Sequence, residues 1–119
     1  MSLIDAVKVN DLQLVQFLCS TGTNVNERDD EGYTALRWAA KLRRFEIVQE
    51  LCTRGALVDL VDRYGRTPLM LSSDVRIIKL LCEQGHANIN HQSHDLRTPL
   101  LEACCEGDLE IVKYLCDHA

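Results

Sequence analysis

Apolar residues along the chain recur three or four positions apart and do not alternate, which predicts helices and not strands. The clearest stripe is Leu109, Val112 and Cys116, with Ile111 and Leu115 beside them. Segments of the same kind stand at Leu12-Gln13-Leu14-Val15, Phe45-Glu46-Ile47-Val48 and Val75-Arg76-Ile77-Ile78. Ahead of the last three stripes lie Thr34-Ala35-Leu36, Thr67-Pro68-Leu69 and Thr98-Pro99-Leu100, each opening another apolar stretch. Threonine suits a helix N-cap, and proline suits the first helical position, where its missing N–H costs nothing. Small residues such as Ala39-Ala40 or Ala103-Cys104 would let that first helix pack closely. Glu106-Gly107-Asp108 predicts a reversal with Asp108 capping the next helix. Gly22, Gly55 and Gly85 each suit the left-handed residue that follows a helix end.

The elements repeat. Cys19, Cys52, Cys82 and Cys116 are separated by 33, 30 and 34 residues, and the three threonine anchors by 33 and 31. A period in this range marks a repeat architecture. One helical hairpin cannot bury both of its faces, so copies must stack.

These residues resemble the ankyrin repeat, whose pattern is an Asp-x-x-Gly-x-Thr-Pro-Leu turn, two antiparallel helices and a Gly-Ala-Asp-Val-Asn tail. Asp62-Arg63-Tyr64-Gly65-Arg66-Thr67-Pro68-Leu69 matches the opening, and Glu106 to Leu115 matches the middle. The resemblance implies an all-α solenoid of four stacked helix-turn-helix units joined by hairpin-like loops. The units run approximately over 1–28, 29–61, 62–92 and 93–119, within a single domain spanning 1–119. Several positions depart from the family pattern. The histidine usual after Thr-Pro-Leu is replaced by Ile4, Arg37, Met70 and Leu101, so its polar network is absent or exchanged for apolar packing. Ser93 and Leu96 replace the usual Asp and Gly, predicting an irregular loop into the last unit. The third unit lacks three residues around Ser72-Ser73-Asp74, predicting a first helix of about one turn, and carries one extra residue near His86.

Composition narrows the function. With 119 residues, 46% hydrophobic and 26% charged, the chain reads as one ordinary globular domain. A formal net charge of −5 argues against unselective nucleic-acid binding, which needs a cationic face. No apolar run approaches the ~18–20 residues of a membrane span, and the start has no secretory pattern. An intracellular home, cytoplasmic or nuclear, is the expectation, and reduced thiols fit it. The charge is unevenly placed: residues 37–66 hold seven basic and four acidic groups, the remainder six and fourteen. That middle either steers a partner with an acidic segment or is simply a solvated face.

Candidate chemistry is sparse. Equivalent cysteines on neighbouring helices lie ~8–10 Å apart, too far for a disulfide or a shared zinc. Cys19, Cys52, Cys82 and Cys116 therefore read as small core residues, Cys104 likewise, and Cys105 as the exposed thiol. His91-x-x-His94 has no further His or Cys placed to complete a metal set, and no catalytic or cofactor motif stands out. The reading is of a non-enzyme without cofactor or metal. The resemblance places Tyr33, Lys41, Arg63, Tyr64, Arg66, His94, Arg97 and Cys105 on the concave groove, with Trp38 either packing between units or anchoring a partner there. The leading expectation is a protein–protein interaction module, a scaffold or adaptor. Alternatives are an inhibitor of an enzyme such as a protein kinase, and a redox or metal sensor through Cys105 or His91 and His94. The apolar last helix could also support weak self-association of an otherwise monomeric chain.

Overall fold

The computed structural model describes residues 2–118. It contains eight helices: α1 (Leu3–Lys8), α2 (Leu12–Ser20), α3 (Ala35–Lys41), α4 (Phe45–Thr53), α5 (Pro68–Leu71), α6 (Val75–Glu83), α7 (Pro99–Glu106) and α8 (Leu109–His118). Each odd-numbered helix packs antiparallel on the next. The odd helices form an inner layer, α1 on α3 on α5 on α7, and the even helices an outer one. The stack measures 39 × 25 × 22 Å.

Short polar side chains start every helix but α4, which follows Arg44 and has no side-chain cap. Ser2 and Asp5 form a reciprocal capping box on α1, and the Thr34 and Thr98 hydroxyls accept from the N–H groups of Arg37 and Leu101. Asp11, Asp74 and Asp108 cap α2, α6 and α8. Thr67 is fully buried, yet its hydroxyl has no partner. The helix it opens, α5, ends after four residues, because Ser72 leaves helical geometry and Ser72 and Asp74 hydrogen-bond each other.

The core lies between the two layers. Val7, Val15, Leu36, Val48, Leu51, Ile78, Leu81 and Leu115 are sealed from solvent, in an unbroken line through all four hairpins. Deleting one of these side chains would cost about 2–5 kcal/mol.

Three details differ from the sequence reading. The left-handed residue after α6 is His86, at φ +54°, and not Gly85. The inserted residue shifts the turn by one position. Gly85 is needed for another reason, since a Cβ there would lie 2.7 Å from Val58 Cγ1 and 2.8 Å from the Leu81 carbonyl oxygen. Cys104 is exposed, and Ala103 fills the core position. Cys116 is exposed too, because no further hairpin covers α8, while Cys19, Cys52 and Cys82 are half-buried.

Candidate functional site

The inner helices and the turns before them form one continuous face, and the turns have a shared design. The first residue of each donates its N–H to a carbonyl four positions on: Asp29 to Tyr33 (2.9 Å), Asp62 to Arg66 (3.0 Å), Ser93 to Arg97 (2.8 Å). Its side chain accepts in return from the N–H of that same residue. The fourth residue is left-handed in every case: Gly32, Gly65 and Leu96. The loop expected to be irregular, with Ser93 and Leu96, is therefore regular, because the serine hydroxyl replaces the carboxylate and leucine is forced to φ +65°.

Neighbouring turns are also tied to one another. Arg28 donates to the Gly32 and Val61 carbonyls, His91 Nε2 lies 2.9 Å from the Gly65 carbonyl, and the His94 N–H donates to Tyr64. A side chain at Gly65 would run into His94, so glycine is required there for space as well as backbone.

On this frame sits an alternating series of rings and cations. Lys8 Nζ lies 4.3 Å from the centre of the Trp38 ring, and Trp38 meets Tyr33 edge-on at 5.8 Å. The Arg37 guanidinium stacks on Tyr33 at 3.7 Å and lies 5.0 Å from Trp38. Arg63 bridges Tyr33 and Tyr64, and Arg66 lies 4.9 Å over Tyr64. Each such contact is worth roughly 0.5–2 kcal/mol depending on solvent exposure. Together they hold the long side chains in defined positions.

The residues singled out from sequence separate within this arrangement. Tyr64 is 53% exposed and is the ring a partner can reach, whereas Tyr33 is only 8% exposed and acts as a cushion beneath two guanidinium groups. Trp38 is half-buried and donates from Nε1 to Asp29 (2.9 Å), so it packs and faces the groove at once. Tyr64, Arg66, His94 and Arg97 come together, with Asp95 and Glu102, around a depression of about 380 Å³. Arg97 reaches Asp95, Glu102 and the exposed Cys105 thiol. Lys41 is exposed on α3 and is not drawn into that depression. Arg43 and Arg54, which swelled the basic count, lie elsewhere: Arg43 in the turn after α3, Arg54 at the end of α4 on Glu50. Sequence reasoning passed over Arg37, the buried guanidinium of the series. Its signal was a charged residue where Ile4 and Met70 occupy the equivalent, buried positions.

The carboxylates beneath the groove stay ionised. Burial raises the Asp62 pKa, but the N–H groups of Arg66 and Tyr64 and the Arg66 guanidinium outweigh it, and the net shift is downward. Asp29 behaves alike, with burial opposed by the Tyr33 N–H and the Trp38 indole. The half-buried thiols move the other way. Burial, with Glu83 and Asp59 nearby, pushes Cys82 up to about 11, and burial raises Cys19 and Cys52. Among the described residues, no three His, Cys, Asp or Glu side chains converge as metal ligands. No described helix is long and apolar enough to cross a membrane.

A family model of ankyrin repeats, in three copies, matches residues 3–93 and again 71–119. The chain belongs to the ankyrin-repeat family, whose members are typically non-catalytic modules that bind other proteins. No curated protein matches the chain.

Proposed function

We propose that this chain is an adaptor or scaffold module that binds a partner protein on the concave groove over its second and third hairpins. The partner lies across Tyr64, Arg63, Arg66, His94 and Arg97, with Trp38 and Lys41 extending the contact toward the first hairpin. The observation that carries the reading is the ring-and-cation series from Lys8 to Arg66, which presents side chains of the types that dominate binding hot spots. These groups are already held, so little ordering entropy is lost on association. A cytoplasmic or nuclear partner is part of the proposal.

The test is affinity capture from cell lysate with wild type and the pair Tyr64→Ala/Arg66→Ala, read by mass spectrometry. A partner retained by wild type and lost by the pair, with helical circular dichroism unchanged, supports the groove. Equal capture by both would place the binding surface elsewhere.

A further inference from the structure

Arg37 is only 5% exposed and its guanidinium stacks on the Tyr33 ring of the groove series, 5.0 Å from Trp38. A guanidinium carries five N–H donors and no acceptor, and a buried one is costly unless hydrogen-bonded and paired. Among the described residues none of these donors is satisfied. Nε is sealed and without a partner. Neither Nη atom donates a hydrogen bond to a described residue, and the 5% of its surface that Arg37 keeps lies away from the sealed Nε. Tyr33 and Trp38 supply ring faces, which attract the charge but accept no conventional hydrogen bond.

The neighbouring carboxylates are close enough to be felt but are already taken. Asp62 accepts from the Tyr64 and Arg66 N–H groups with one oxygen and from Arg66 Nε with the other. Asp29 accepts from the Glu31 and Tyr33 N–H groups and from the Trp38 indole. Turning either toward Arg37 would break the turn it organises. Two more cations flank the fork, Lys8 over the far ring and Arg63 over the near one. The one ion pair Arg63 makes among the described residues is a loose, exposed contact to Glu31 at 3.8 Å, which water screens heavily.

Resting on the groove reading above, we propose that Arg37 is a built-in carboxylate receptor. The partner is a polypeptide segment that places an Asp or Glu side chain on this fork, between Lys8 and Arg63. A carboxylate matches the planar fork through two parallel hydrogen bonds, and it supplies the acceptors that the chain withholds.

The probe is a hexaglutamate peptide blocked at both ends, titrated at low salt with hexaglutamine as control. Trp38, the only tryptophan, lies against Arg37 and reports through its emission. A saturable change with hexaglutamate and none with hexaglutamine is expected. Arg37→Gln should weaken it at least ~10-fold, and Arg37→Lys, which keeps the charge and loses the fork, should weaken it less. If Arg37→Gln does not fold, the wild type still decides. Its sealed Nε–H should give a slowly exchanging nitrogen–proton resonance that shifts with hexaglutamate to saturation.

An unmoved Nε–H resonance, or full-strength binding by folded Arg37→Gln, would overturn the proposal. So would binding of a phosphoserine peptide with none of hexaglutamate. If hexaglutamate fails while Tyr64→Ala/Arg66→Ala still loses the captured partner, the receptor falls and the groove stands. If the pair retains its partner, the groove reading itself falls.

Discussion

Leu96 is the wrong residue for its own backbone, and replacing it with glycine should stabilise the protein. It sits at φ +65° in a turn whose counterparts are Gly32 and Gly65. A side chain in that conformation costs about 1–2 kcal/mol, because Cβ crowds the carbonyl oxygen. Glycine removes that strain but gives back about 0.5–1 kcal/mol through the greater freedom of the unfolded chain. The leucine is 67% exposed, so little apolar burial is lost. The balance is a gain of about 0–1.5 kcal/mol, centred on ~0.7, which corresponds to roughly 3 °C in Tm for a chain of this size. Urea unfolding followed by circular dichroism and by Trp38 emission measures it. Coincident transitions would show that the last hairpin does not melt ahead of the rest, as it can in stacked repeats. Leu96→Asn should fall between wild type and glycine, since Asn tolerates the left-handed region, and β-branched Leu96→Val should fall below wild type. A midpoint for Leu96→Gly below wild type, at unchanged urea slope, would refute the strain argument.

Gly65→Ala should destabilise by more than about 2 kcal/mol, since it combines left-handed strain with a Cβ placed 2.5 Å from His94 Cδ2; urea midpoints check this. His86→Gly should raise the melting temperature, which the helix-end glycine pattern alone does not imply, while Gly85→Ala should lower it through its contacts with Val58 and the Leu81 carbonyl; thermal unfolding checks both. The pKa values of Asp62 and Asp29 are lower in the folded state, so the folded chain binds protons less readily than the unfolded one. Their stabilisation is complete above the unfolded value of about 4 and fades as pH falls through the folded values. Asp62→Asn should accordingly be less stable at neutral pH, with a shallower loss toward acid, measured by urea midpoints from pH 7 to 3. With a thiol reagent near neutral pH, the exposed Cys104, Cys105 and Cys116 should react faster than the half-buried Cys19, Cys52 and Cys82, whose thiols burial holds protonated. Uniformly fast reaction would mean that the interface between hairpins is open.

The stack was legible because its signals are local and redundant. The threonine anchors, the apolar stripes and the closing turns are set by helix caps and by the need to bury a stripe. Leu96, His86 and Ser93 were misjudged for one common reason. Residue type at a turn does not dictate its geometry, because a neighbouring scaffold imposes left-handed backbone on leucine or histidine and lets a serine hydroxyl serve for a carboxylate. Cys104 and Ala103 differ by one step on a short helix, which periodicity over two turns does not resolve. The groove was legible as a set of residue types, but not in its depth. Arg37 reaches Tyr33 within one hairpin, but the second guanidinium on that ring, Arg63, comes from the next hairpin, a contact that no single repeat contains.

Charge in the groove also has a direction that counting residues conceals. Around the depression the cations are answered: Arg66 by Asp62 at 3.0 Å, Arg97 by Asp95 and Glu102 at 3.5 Å each. Toward the first hairpin, Lys8 and Arg37 rest on rings and make no ion pair among the described residues. A ring holds a cation without neutralising it, whereas a carboxylate partner cancels most of its field. Asp5, Glu27, Asp29, Asp30 and Glu31 line the pocket that Lys8 borders, so an acidic segment seated on Arg37 would end its charged part there and lie with its less charged part over Tyr64 and the depression beyond. Reversing a peptide's charge gradient while keeping its composition should weaken binding, and the loss should shrink as salt rises. Equal affinity in both orientations at low salt would mean that the paired arginines, and not the unpaired cations, set the polarity of the groove.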